Sequence, residues 1–150
     1  SVAFTDSRGD AVLLNPATID RADITRVVVS NDVDGLVTFR ISLLEQPVLR
    51  DDMRFRILID ADHDRTTGST PGGYEYYLGW EARCGGLCGS FASQSFHYEP
   101  NVAVWTFSAE RLRTRRFRFA IAAETGDAAS DIPDCTTVTV RGREGLMPFW

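Results

Sequence analysis

Alternation of apolar and polar residues recurs along most of this chain, and it constrains the fold more than any other feature. In "GLVTFRISLL" and "MRFRILID" every second residue is large and apolar. A side-chain period of two is that of a β-strand with one buried face. The same pattern is present in "ITRVVVSND", "YEYYLGW", "SQSFHYE", "VAVWTFS", "FRFAIAAE" and "TTVTV". The sequence therefore predicts eight or nine short strands.

The segments between these strands are turns rather than crossover helices. They contain "NDVDG", "PGG", "EPN" and "TGD", whose residues favour tight reversals. Only "SAERLRTR" is typical of a helix, with Ser108 as its N-cap. Strands linked by short turns pair antiparallel, so we expect an all-β fold: an immunoglobulin-like or jelly-roll-like antiparallel β-sandwich with one short helix.

Length and charge narrow the class of protein. A chain of 150 residues is the size of one domain, so we expect residues 1–150 to form a single β-sandwich domain. A net charge of -5 disfavours nucleic-acid binding. No apolar run reaches the roughly 20 residues of a membrane helix, so no membrane span is expected. Residues 142–150 form an apolar C-terminal tail that either folds over one end of the sandwich or contacts a partner.

The segment "DADHDRTTGSTPGGYEYYL" places carboxylates at alternate positions before an aromatic strand. Three interpretations compete: a cation site, a catalytic carboxylate pair, and a solvated turn. Calcium takes six to eight oxygen ligands, which alternate carboxylates on a turn can supply. We expect calcium to be bound by Asp60, Asp62 and Asp64. The Thr66 carbonyl and Glu75 from the returning strand are expected to complete the shell.

The three cysteines are Cys84, Cys88 and Cys135. In "CGGLC" three residues separate the first two, which is not the spacing of a redox or haem-attachment motif. The glycines between them allow a small loop, so we predict a Cys84–Cys88 disulfide in an oxidising compartment. Buried, reduced thiols are the alternative.

Aromatic residues on the later strands are candidates for ligand binding. Tyr77, Trp80 and Trp105 are the rings considered for stacking on a sugar. Packing in the core is the competing interpretation for each of them.

The ordered segments "DITRVVVSNDVDGLVTFRISL", "DDMRFRILIDADHDRTTG", "GGYEYYL", "VAVWTFSAERL" and "FRFAIAAETGD" together resemble the DOMON-like and family 9 carbohydrate-binding-module-like domains of extracellular bacterial proteins. The resemblance covers roughly Asp20 to Asp131 and consists of strand patterns. It implies a secreted β-sandwich that binds sugar, haem or calcium, often as a module of a larger protein. For haem, Met53 and His97 are the pair that it suggests.

Taken together, these features favour a non-catalytic, secreted, calcium-stabilised module that serves as a binding or accessory domain. Its expected partners are an extracellular glycan or protein. A carbohydrate-binding module is the first alternative, and a haem-binding electron-transfer domain is the second. The sequence has no nucleophile elbow of the Gly-x-Ser-x-Gly type that would favour an enzyme.

Overall fold

The computed structural model describes residues 1–5, 22–69, 73–81, 86–114, 116–125 and 136–141. These residues form ten strands and a 3₁₀ helix at Ala109–Leu112. The strands are β1 (Val2–Thr5), β2 (Ile24–Asn31), β3 (Leu36–Leu43), β4 (Met53–Asp60), β5 (Tyr76–Glu81), β6 (Gly86–Gly89), β7 (Gln94–Glu99), β8 (Val102–Ser108), β9 (Arg118–Thr125) and β10 (Thr136–Arg141).

The strands form two five-stranded sheets in which every pairing is antiparallel. The first sheet has the order β1-β2-β3-β8-β7, and the second has the order β10-β9-β4-β5-β6. The predicted all-β antiparallel sandwich is therefore confirmed. The sequence pattern missed β1 and β6, because each is only four residues long and too short to show a clear alternation.

The core lies between the two sheets and is built from the alternating residues. In β3 and β4 every second residue is apolar, and its side chain is fully or almost fully buried. Phe39 lies at its centre and packs edge-on against Phe119 at a centroid distance of 5.1 Å. Edge-to-face packing of this kind stabilises aromatic pairs beyond the area that they bury. The period of two thus gives each sheet one hydrophobic face, and these two faces pack against each other.

Several turns meet at one end of the sandwich, which we call the turn end. It contains the β2–β3 turn, the 3₁₀ helix after β8, and the acidic turn, defined as residues 60–69 and 73–75, from the end of β4 to the start of β5. The backbone amide of Ala109 donates to the Gly35 carbonyl at 3.0 Å. The Tyr76 hydroxyl donates to the Arg111 carbonyl at 3.1 Å. These bonds join elements from both sheets at the turn end.

The predicted short helix is present as a single 3₁₀ turn. Ser108 is its N-cap, as expected, and its hydroxyl accepts from the Glu110 amide at 3.4 Å. Across the described ranges, no helix has the length and apolar character needed to cross a bilayer. The apolar tail at 142–150 lies outside those ranges.

Candidate metal centre

The acidic turn reverses the chain between two paired strands of the second sheet. β4 ends at Asp60 and β5 returns from Tyr76, with Ile59 opposite Tyr76. Gly68 closes the turn with a φ of +64°, where a Cβ would lie 2.5 Å from the Tyr74 carbonyl oxygen. Only glycine fits such a close approach at a positive φ. The turn is therefore folded tightly enough to place Glu75 back beside the residues that follow β4.

Three carboxylates converge in this turn. Asp60, Asp62 and Glu75 each offer an oxygen, and these oxygens all lie within 4.8 Å of one another. Calcium binds oxygen at about 2.3–2.6 Å, so two ligands on opposite sides of the ion are about 4.6–5.2 Å apart. All three oxygens lie within that span of one another, so they can reach one shared calcium ion.

Backbone amides hold these carboxylates in position. Asp60 accepts from the His63 amide at 2.6 Å, Asp62 from the Asp64 amide at 2.8 Å, and Glu75 from the Ala61 amide at 2.7 Å. Each carboxylate oxygen has two lone-pair sites, so these bonds leave acceptor capacity for a cation. The turn's own hydrogen bonds therefore orient the three side chains without a bound ligand.

Arg118 neutralises part of the charge. It lies opposite Asp60 in the β4–β9 register, and its guanidinium contacts the Asp60 carboxylate at 2.6 Å. The two side chains are only 17% and 2% exposed. A charge buried to that extent requires a partner. Three carboxylates and one guanidinium leave a formal charge of two negative units, which equals the charge of one calcium ion in magnitude.

Thr67 was not among the predicted site residues, yet its hydroxyl lies between the carboxylates. The Thr67 oxygen is 2.9 Å from Asp62 Oδ2, 3.1 Å from Glu75 Oε1 and 2.9 Å from the Asp64 carbonyl oxygen. A hydroxyl has one hydrogen to donate. It therefore satisfies one of these three acceptors at a time, and the region stays rich in lone pairs.

Asp64, another predicted ligand, bonds to Thr66 within the turn. Asp64 is not part of the convergent group of Asp60, Asp62 and Glu75. Its Oδ1 accepts from the Thr66 hydroxyl at 2.6 Å and from the Thr66 amide at 2.9 Å. The hydroxyl bond, followed by the amide bond, lowers the pKa of Asp64 below its ordinary value. These bonds stabilise the local turn.

The three aromatic residues predicted to bind a ligand do not form one surface. Tyr77 is 43% exposed on the outer face of the second sheet. Trp80 points to the other face, is half-buried, and stacks on Phe96 at a centroid distance of 5.2 Å. Trp105 is 0% exposed, so its ring packs in the core and has no face open to a sugar. Trp105 is packed in the core, and Trp80 packs partly against it. Of the three rings, that of Tyr77 is the most accessible.

The structure does not bring the suggested haem pair together. Met53 is fully buried in the core from the second sheet. His97 belongs to the first sheet, where Phe96 and Tyr98 on either side of it pack against the core. Its side chain is 60% exposed and lies 3.3 Å from Glu99. Alternation therefore points His97 away from the core, and it cannot share a haem iron with Met53 in this fold.

The predicted Cys84–Cys88 disulfide is not formed in the structure, because Cys88 is a free cysteine. Cys84 and Cys135 lie outside the described residues. The Cys88 sulfur packs against Gly79, where a Cβ would lie only 2.7 Å from it. The thiol thus fills the space that a larger residue at position 79 would need.

Comparison with known proteins adds no relative: no protein-family model, curated protein or solved structure matches the chain. The likeness to DOMON-like and family 9 carbohydrate-binding-module-like domains stays a prediction. A functional interpretation therefore depends on the residues and distances above.

Proposed function

We propose that this chain is a non-catalytic, secreted β-sandwich module, a binding or accessory domain that calcium stabilises through its acidic turn. The observation that supports the proposal is the convergence of Asp60, Asp62 and Glu75, whose oxygens lie within 4.8 Å of one another. Asp60 ends β4, Asp62 follows it, and Glu75 precedes β5. An ion held by all three ties the end of one strand to the start of the next.

Each residue has a distinct part in this proposal. Asp62 and Glu75 supply carboxylate oxygens, and Asp60 supplies an oxygen while it remains paired with Arg118. Thr67 offers its hydroxyl oxygen once its hydrogen turns away from the ion. Bound calcium would screen the mutual repulsion of the three carboxylates. The remaining positions of its shell would be filled by water or carbonyl oxygens.

Calcium suits this turn better than magnesium does. Magnesium requires a near-octahedral shell at about 2.0–2.1 Å and gives up its water reluctantly. The carboxylates here are restrained by amides and by Arg118, which limits how far they can adjust to a regular octahedron. Calcium accepts longer and less regular contacts, which the present spacing permits.

The test is a set of thermal melts with calcium and with chelator. Calcium at about 100 times its dissociation constant is expected to add roughly 2.7 kcal/mol to the free energy of unfolding of the wild type. Asp62→Asn and Glu75→Gln should lose most of that gain. Asp34→Asn, which removes an exposed carboxylate outside the cluster, should keep it. An identical Tm for the wild type in both solutions would leave only a solvated turn.

A glycan is the second candidate ligand for such a module, because Tyr77 exposes a large aromatic ring on a sheet face. Aromatic faces of this kind stack on sugar rings, as the resemblance to carbohydrate-binding modules implies. A glycan array with the wild type and with Tyr77→Ala separates this candidate from a calcium-stabilised module that binds protein. Loss of an array signal in the variant supports glycan binding, and an array without signal counts against it.

A further inference from the structure

A second site lies at the turn end of the molecule, and it shares no residue with the acidic turn. A cavity of about 430 Å³ opens between the β2–β3 turn and the 3₁₀ helix. Its charged lining residues are Asp34, Glu110 and Arg113, and Ser108 and Thr114 add hydroxyl groups. Ligand pockets commonly have volumes of about 300–1,000 Å³, so the cavity has room for a small metabolite.

Hydrogen bonds fix both walls of this cavity. On one side, the Asp32 carboxylate accepts from the amides of Asp34 and Leu36 at 3.0 and 2.9 Å. On the other, the 3₁₀ helix is held by the Ala109–Gly35 bond and by the bond from Tyr76 to the Arg111 carbonyl. A cavity with walls held in this way is preformed, and a ligand that enters it loses less free energy to ordering the protein.

Gly35 lines the cavity, and the space where its side chain would begin is open. Its φ is +77°, and a Cβ built on it would meet no atom within 4 Å. A side chain at this position would therefore extend into free space beside the other lining residues. This makes position 35 a place where the cavity can be filled without disturbing the packed core.

The charges of the lining indicate which ligand fits. Asp34, Glu110 and Arg113 are solvent-exposed, and no ion pair among the described residues engages any of them. Two carboxylates and one guanidinium call for a ligand with two cationic groups and one carboxylate. An anionic ligand would meet two like charges, and an apolar ligand would leave all three without partners.

We propose that this cavity binds a free basic amino acid, with its two cationic groups at Asp34 and Glu110 and its carboxylate at Arg113. A guanidinium and a carboxylate form paired, directional hydrogen bonds. The Ser108 hydroxyl adds a donor or acceptor at the cavity wall. This proposal does not depend on calcium, because the cavity and the carboxylate cluster have no residue in common.

The experiment is an NMR titration of the full chain with L-lysine in calcium-free buffer, with the amide signals of Gly35 and Ala109 as reporters. L-lysine should shift both signals in a saturable way. Nε-acetyl-L-lysine lacks one cation, and L-lysinamide lacks the carboxylate, so each should bind about tenfold more weakly, the equivalent of 1.4 kcal/mol. If the attraction is only the general pull of acidic residues on cations, L-lysinamide will bind more tightly than L-lysine, and the proposal fails.

Variants of the lining give a second, independent reading. Gly35→Asn should abolish binding while the protein stays folded, because asparagine tolerates a positive φ better than most residues and the space is open. Arg113→Gln should remove the preference for L-lysine over L-lysinamide. Glu45→Gln, an exposed carboxylate just beyond the far end of β3, is the matched control and should bind like the wild type. Wild-type affinity in Gly35→Asn, or an unchanged preference for L-lysine over L-lysinamide in Arg113→Gln, would overturn the proposal.

Discussion

Two turns at the same end of the sandwich contain alternating aspartates, and they use them differently. In the β2–β3 turn, "DVDG", Asp32 caps its own turn by accepting from the amides of Asp34 and Leu36, and Asp34 faces solvent. In the acidic turn, "DADHD", Asp60 and Asp62 meet Glu75 from the returning strand. The same spacing thus gives a self-contained cap in one turn and a convergent cluster in the other.

The difference lies in what the neighbouring strands contribute. The acidic turn receives Glu75 from β5's side and Arg118 from β9, whereas in the β2–β3 turn the Asp32 carboxylate accepts from the amides of Asp34 and of Leu36, the first residue of β3. Alternate carboxylates are therefore not sufficient for a convergent carboxylate cluster. A further carboxylate from the returning chain and a buried counter-charge are what separate the two turns.

The largest effect is expected from the buried ion pair. Asp60→Asn leaves Arg118 buried without its carboxylate, which should cost about 3–5 kcal/mol. Asp34→Asn in the other turn should change stability by less than about 0.5 kcal/mol, because that side chain is exposed. Urea unfolding of both variants without calcium measures the difference. Similar losses for the two variants would show that the turns are energetically alike.

The second-largest effect is expected from replacing the turn glycines with alanine. Both Gly35 and Gly68 have positive φ, so alanine at either position costs about 1–2 kcal/mol of backbone strain. At Gly68 the new Cβ would also meet the Tyr74 carbonyl at 2.5 Å, whereas at Gly35 it would meet nothing. Gly68→Ala is therefore expected to lose about 1–3 kcal/mol more than Gly35→Ala. Equilibrium unfolding of the pair tests this, and equal losses would contradict the tight geometry of the acidic turn.

A smaller effect is expected at the cap of the β2–β3 turn. Asp32→Ala removes an acceptor for two backbone amides at the surface, which should cost about 1 kcal/mol with or without calcium. Asp62→Ala, by contrast, should lose stability mainly when calcium is present. Melts of both variants in calcium and in chelator make the comparison. If the stability loss of Asp32→Ala depended on calcium, the β2–β3 turn would also take part in calcium binding, and the distinction between the two turns would be wrong.

The smallest effect concerns acid titration of the acidic turn. The Thr66 hydroxyl is the main cause of the lowered pKa of Asp64. A lowered pKa stabilises the fold above the ordinary value of 3.8, and that contribution is lost as pH falls through the lowered value. Thr66→Val should raise the Asp64 pKa toward its ordinary value. An NMR titration of the carboxyl carbon measures this shift, and an unchanged pKa would assign the lowering to the backbone amide.

Much of the fold follows from the sequence because alternation is a local property. "MRFRILID" alone shows which side chains of β4 face the core, and the structure agrees. The carboxylate cluster was only partly predictable. Alternate spacing predicts Asp60, Asp62 and Asp64 as ligands, and the returning strand predicts Glu75, but the contact of Asp60 with Arg118 depends on the register of two strands far apart in sequence. The place of Thr67, rather than Thr66, among the carboxylates depends on how the turn coils, which residue spacing does not specify.

Among the described residues, both sheets end in strands that are paired on one side only, and these border strands bear on self-association. β1 and β7 border the first sheet, and β10 and β6 border the second. An unpaired strand is a template for another chain, and proteins blunt it by making it short or by placing charge along it. β1 and β6 have four residues each, and β7 carries the exposed side chains of His97 and Glu99. The brevity that hid β1 and β6 from the sequence pattern thus limits how far a second copy can add to these two borders.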